Sequence, residues 1–234
     1  MKKLFENAYE EYKNHMEKNV TNYYMGYGHS KRREQCESFI NAINDNFKFD
    51  KLITLETGAS QNYDDGLWGL FLGFASSYTQ GEMYSVDINE NYVNKSKKIF
   101  DETIPNLNYK THIGDSVKYL KNLDVIPNLV HLDSWDFDIT NPFPSALHGW
   151  REFESIENRM ESGSIIIIDD NWKNGCCIYW NHADGTQEKI DITYPMIGKG
   201  AHIYQQVISG NLNWTLIGNH YDTCMPHKII IQKN

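Results

Sequence analysis

The chain is short of positive charge, of cysteine and of long apolar runs, and each shortage removes a class of protein. Lys and Arg number 22 against 31 Asp and Glu in 234 residues, a formal net charge of −9. A protein that grips polynucleotides displaces counterions with a positive field, so nucleic acid is not an expected partner. Cys36, Cys176, Cys177 and Cys224 include an adjacent pair and no C-x-x-C spacing. Neither a disulfide framework nor a structural zinc site is expected, and a reducing cytoplasm is the expected compartment. The longest apolar stretches, 67–75 and 165–168, fall short of the ~20 residues of a membrane helix. The opening MKKLFENAYEEYKNHMEK mixes acids with apolars where a secretory leader has an unbroken apolar stretch, so no membrane association is expected. What is present is globular composition, 40% hydrophobic and 13% aromatic, enough to build a sizeable core.

Leu4, Phe5, Ala8, Tyr12 and Met16 recur at helical spacing within 3–18, and Cys36, Phe39, Ile40 and Ile43 within 31–45. Two amphipathic helices therefore precede the first strand. The connector YYMGYGHSKRR (23–33), with Ser30 as an N-cap candidate, is either a plain link or a lid. From residue 51 short β-rich runs (52–56, 83–88, 107–112, 129–133, 165–169) alternate with helical ones (66–77, 90–103, 116–123, 145–161). That alternation predicts a parallel sheet covered by helices on both faces. Runs at 177–181 and 187–192 flank Ala183-Asp184-Gly185-Thr186, a hairpin signal. A helix is expected from about 200 to 209, ended by Gly210, and then strands at 214–218 and 228–232. The turn between those two is too short for a crossover helix, so they pair antiparallel. The expected organisation is an N-terminal helical extension, 1–49, serving as lid or dimer contact, and one α/β domain, 50–234, with a hairpin insertion near 177–192.

Open α/β sheets bind ligands beyond the carboxyl ends of their strands. Here five successive strand ends each carry a carboxylate: Glu56, Asp87, Asp115, Asp133 and the pair Asp169-Asp170. One or two such residues are ordinarily helix caps, whereas five on one rim point to a ligand site. Glu56-x-Gly58 followed by Asp87 suits a nucleoside, the glycine allowing close backbone approach and the acid accepting from ribose hydroxyls. The loop lacks G-x-G-x-x-G, and an acid at the end of strand one repels a pyrophosphate. A cationic cofactor is the better match.

LETGAS, SVDIN, GDSVKYL, LDSWD and IIIIDDN, followed by an antiparallel final pair of strands, together resemble a class I S-adenosylmethionine-dependent methyltransferase over about 50–234. The resemblance implies a Rossmann-like, seven-stranded, mostly parallel sheet with an antiparallel last strand. It also implies S-adenosylmethionine as cofactor, its methionine end at Glu56, Thr57, Gly58 and Ser60, its ribose at Asp87, its adenine near Asp115 and Ser116, and Asp133 beside it. The loop SQNYDDG replaces the usual glycine-rich continuation. Gly66 is then the candidate for close approach, and Asp65 is an N-cap or a ligand contact.

Asp133, Asp170 and Asn171 further resemble the divalent-metal ligands of catechol-type and sugar O-methyltransferases. Two carboxylates and an amide oxygen are hard donors suited to Mg2+. Catechol-type enzymes carry a catalytic lysine where this chain has Asp136. The base candidates are therefore His148, four residues before Glu152 on one helix face, and Asp136. Lys199 in GKG is either an acceptor contact or an ordinary helix-start residue. The resulting expectation is O-methylation of a small-molecule or glycan hydroxyl, a saccharide before a catechol, with metal assistance and a possible homodimer. The rival readings are an NAD-dependent oxidoreductase and a non-catalytic cofactor-binding protein.

Overall fold

The structure, a computed structural model, describes residues 2–19, 30–63, 68–181, 185–219 and 227–234. Gly66, Asp65, most of the 23–33 connector, the turn at 182–184 and the 220–226 segment lie outside the described residues, as do the side chains of Ser30 and Cys36.

Helices α1 (Lys2–Asn19) and α2 (Ser30–Asn46) lead into β1 (Ile53–Thr57), α3 (Trp68–Tyr78), β2 (Glu82–Asp87), α4 (Glu90–Thr103), β3 (Asn108–Ile113), α5 (Ser116–Asn122) and β4 (Leu129–Leu132). Then come α6 (Phe143–Ile156), β5 (Ile165–Lys173), the hairpin β6 (Cys177–Asn181) and β7 (Gln187–Asp191), β8 (Met196–Gly198), α7 (Ala201–Ile208), β9 (Trp214–Asn219) and β10 (His227–Lys233). The sheet order is β3-β2-β1-β4-β5-β10-β9. The first five of these strands run parallel, while β10 is antiparallel to both β5 and β9. The mixed α/β architecture expected from the alternation is the one observed.

Strand β5 shows why the sheet is covered on both sides. Its four isoleucines alternate, Ile165 and Ile167 packing in one buried cluster and Ile166 and Ile168 in another, as the two-residue strand period requires. The first cluster takes Phe5, Phe39, Phe71 and Phe100 from α1 to α4; the second takes Leu120, Phe153 and Ile203 from α5 to α7. Tyr12 and Met16 of α1 and Ile43 of α2 are fully buried within the first, so both N-terminal helices bury their apolar faces against the same core as α3. Among the described residues no helix is long and apolar enough to cross a membrane.

One element was not foreseen. Strand β5 runs four residues past the expected 169, and its end pairs antiparallel with β8, giving the main sheet an eighth strand. Three residues are too few to show a period of two, which is why β8 leaves no mark in the sequence.

Candidate active site

The floor of the site is where β1 and β4 end. Gly58 has φ +83°, and its N–H donates to the Val86 carbonyl at 2.9 Å. A Cβ placed there would lie 2.5 Å from the Asp133 carbonyl oxygen, so only glycine lets these strand ends close. The Asp133 N–H in turn donates to the Thr57 carbonyl (3.0 Å) and hydroxyl (3.2 Å). Asp87, ending β2, accepts from the Ala59 N–H (2.9 Å) through one oxygen and from the Asn89 N–H (2.7 Å) through the other. It thereby fixes both flanking loops and still faces a cleft.

That cleft, about 310 Å³, lies between Gly58, Asp87, Asp115, Ser116, Asp133 and His148, with Trp135 and Asp136 also on its wall. Asp115 caps α5, accepting from the Lys118 N–H at 2.8 Å. His148 Nε2 lies 3.0 Å from Ser116 Oγ and 3.4 Å from Glu152 Oε1, and Ser134 donates to that same Glu152 oxygen at 2.5 Å. Trp135, at φ +66° and 55% exposed, lays its ring 5.1 Å from the imidazole. A non-glycine residue in the left-handed region costs about 1–3 kcal/mol and persists only where its surroundings impose it.

Glu56 does not reach the cleft. It is fully buried, accepting from Ser85 Oγ (2.8 Å), Ser60 Oγ (2.8 Å) and the Ser60 N–H (3.3 Å), with Gly69 of α3 packed against it. Burial pushes its carboxyl up to about 7, against the downward pull of the Ser60 and Ser85 hydrogen bonds. Ser60 Oγ also accepts from the Gly69 N–H (3.0 Å). Glu56 and Ser60 therefore tie the loop after β1 to the start of α3, while Gly58 and Asp133 line the cleft.

The residues expected to hold a metal are arranged otherwise. Asn171 is fully buried, its carbonyl oxygen accepting from the Gly200 N–H (2.7 Å) and its amide donating to the Ile168 (3.0 Å) and Asp169 (2.9 Å) carbonyls. Between Asp133 and Asp170 lies the Lys199 ammonium, 2.6 Å from Asp133 Oδ1 and 2.9 Å from Asp170 Oδ2. Burial pulls this amine down, yet the two carboxylates outweigh it and hold the ammonium above the ordinary lysine range. A lysine so held is no base and no free acceptor contact. Among the described residues one trio, His131, Asp133 and Asp169, also brings possible ligand atoms within 4.8 Å of one another, but the buried Lys228 ammonium already rests on Asp169. Asp133, Asp170 and Asn171 do not fit a divalent ion, because an ammonium and a backbone N–H hold the faces that would coordinate it.

Sequence reasoning missed Ser85, Ser134 and Lys228. Lys228 alone left a signal, a lysine heading the apolar run KIII, since a charge inside a central strand needs a buried partner.

No protein-family model matches the chain, and no curated protein sequence does. Solved structures do. An S-adenosylmethionine-dependent methyltransferase from Clostridium acetobutylicum superposes with a TM-score of 0.53 at 11% identity, over 86% of this chain and 92% of that one. The glycopeptide N-methyltransferase MtfA gives 0.51 at 11% identity over 86% and 90%. A precorrin-6y C5,15-methyltransferase from Geobacter metallireducens gives 0.50 at 11% identity over 88% and 90%. The fold is thus the Rossmann-like fold of class I S-adenosylmethionine-dependent methyltransferases.

Proposed function

We propose that the protein is an S-adenosylmethionine-dependent methyltransferase acting on a hydroxyl of a small polar acceptor, a saccharide before a catechol. The observation that carries this reading is one cleft onto which the ends of β2, β3 and β4 deliver Asp87, Asp115 and Asp133, with Gly58 from the end of β1 beside them. Its volume is at the lower end of the roughly 300–1,000 Å³ of small-molecule sites, and its carboxylate acceptors suit a nucleoside bearing a cation. Bound there, S-adenosylmethionine would supply an electrophilic methyl group. The chain's part is positioning: Gly58 admits the cofactor's close approach, Asp87 accepts from ribose, Asp115 and Ser116 flank the base, and Asp133 faces the positive methionine end. Trp135 offers an exposed ring for stacking, and the acid-rich rim can take several acceptor hydroxyls.

For His148, expected as a base, we favour a place in cofactor binding. Its Nε2 is engaged by Ser116 at the adenine side and by Glu152. Asp136, exposed on the same wall, is left to receive the hydroxyl proton. His148→Ala should weaken S-adenosylhomocysteine binding about tenfold, roughly 1.4 kcal/mol. Asp136→Asn should lower kcat by about 100-fold and leave that affinity within about threefold. The opposite pattern would return the base to His148.

Calorimetry with S-adenosylhomocysteine tests the reading directly. Micromolar binding is expected for the wild type, and about tenfold or weaker binding for Asp87→Ala, the size of one lost charged hydrogen bond. An unchanged affinity removes Asp87 from the ribose. Binding of NAD(H) without S-adenosylhomocysteine carries the oxidoreductase reading, and cofactor binding with no transfer to any hydroxyl carries the non-catalytic one.

A further inference from the structure

The place between the ends of β4 and β5 is filled by a cation that belongs to the chain. Besides Asp133 Oδ1 and Asp170 Oδ2, the Lys199 ammonium donates to the Asp133 carbonyl oxygen at 3.1 Å, so all three of its N–H directions have an acceptor. The lysine is only 3% exposed.

The turn from β8 into α7 is built to bring it there. Gly198 has φ +113°, and a Cβ on it would fall 2.0 Å from the Asp170 carbonyl oxygen. The Lys199 N–H donates to that carbonyl at 3.2 Å, while the Gly200 N–H is held by Asn171 Oδ1 at 2.7 Å. From the other side α6 closes in through Gly149, where a Cβ would meet the Lys199 carbonyl oxygen at 2.4 Å. Three glycines and one buried asparagine thus fix the backbone of a single lysine. Asn171, which offers an oxygen in the right place for a metal, spends it on this turn.

The neighbouring acid is treated in the same way. Asp169 carries the Lys228 ammonium, itself fully buried and lying 5.0 Å from the Trp68 ring centroid. Three carboxylates, Asp133, Asp169 and Asp170, therefore face two ammonium groups, Lys199 and Lys228, with His131 3.5 Å from Asp169, so the acids a divalent ion would need are already paired within the chain.

We propose that Lys199 is the resident cation of this site. It stands where a divalent metal would stand, holds the Asp133 carboxylate in the orientation the cleft requires, and makes the protein's ligand binding and catalysis independent of metal. Lys199 is a positioning residue, acting through Asp133. Its bearing on ligand binding and catalysis rests on the methyltransferase reading; the exclusion of divalent ions is a property of the ion cluster itself.

The test is Mn2+ binding, followed by electron paramagnetic resonance and calorimetry on the full chain, for wild type and Lys199→Ala. Wild type should show no saturable binding up to about 1 mM Mn2+, and its affinity for S-adenosylhomocysteine should be equal in chelator and in Mn2+. Lys199→Ala frees both carboxylates, and should bind Mn2+ at least about tenfold tighter than wild type, with a rise in melting temperature on adding the ion. Lys199→Ala combined with Asp170→Asn should lose that gain. Saturable Mn2+ binding by wild type overturns the proposal, as does a folded Lys199→Ala that binds none. If removing the lysine prevents folding, the wild-type titration alone decides. Failure of wild type to bind S-adenosylhomocysteine would strike the functional reading and leave the Mn2+ result standing.

Discussion

Substitution of Gly58 by alanine is expected to lower affinity for S-adenosylhomocysteine by more than about 100-fold, or about 2.7 kcal/mol. Two costs combine. The left-handed backbone, φ +83° here, disfavours any residue with a Cβ by about 1–2 kcal/mol. The new methyl would also lie 2.5 Å from the Asp133 carbonyl oxygen and 2.9 Å from its carbon, so β1 and β4 must part. That movement displaces Asp133, which lies on the cleft wall and is tied to Lys199, and with it the loop whose Ala59 N–H Asp87 holds. Gly175 separates the two costs, having φ +88° and nothing within 4 Å of a methyl added at its Cα. Gly175→Ala should lose about 1 kcal/mol of stability and keep its affinity. Calorimetry and thermal melts on both variants check this; a Gly58→Ala protein that binds within about threefold of wild type would show that the strand ends are not the cofactor's floor.

What the sequence reveals and what it hides divide along the range of the interactions. The 3.6-residue period of Phe5, Ala8, Tyr12 and Met16 and the two-sided burial of Ile165 to Ile168 are local patterns, and the elements they announce are present. The chain direction then places Asp87, Asp115 and Asp133 on one rim, because parallel strands end on the same side. Partners are another matter. Whether Glu56 meets solvent depends on Ser85 from β2 and Gly69 from α3, which the parallel register and helix packing bring over it. Asp133 and Asp170 look like open donors until Lys199, 66 residues beyond Asp133, is folded between them. The same holds for Asn171, whose oxygen is claimed by a glycine N–H 29 residues later. A motif shows which donors exist, while only packing shows which donors are already spent.

Glu56 should give the fold a pH dependence of distinctive sign. Burial raises its carboxyl from 4.5 to about 7, a rise the Ser60 and Ser85 hydrogen bonds limit and the Asp133 charge assists. An acid with a raised value in the folded state keeps its proton there between pH 4.5 and about 7, while the unfolded chain has already released it. Over that window the folded state binds more protons, so stability is greatest below 4.5, falls as pH rises, and levels off above about 7. The full change is about 3 kcal/mol at roughly 1.4 kcal/mol per unit. Glu82 acts in a different window: hydrogen bonds from Lys110 and Tyr84 hold it down at about 2, so its contribution is intact above 4.5 and is lost only in stronger acid. Glu56→Gln removes the titrating proton and keeps an acceptor for the two serines. Its melting temperature should match wild type near pH 4.5 and exceed it by about 6–12 °C at pH 8, taking roughly 2–4 °C per kcal/mol for a chain of this size. Melts of both proteins at pH 4.5, 6 and 8 decide the matter: curves that run parallel would mean that Glu56 is ionised throughout and that the pH dependence has another source.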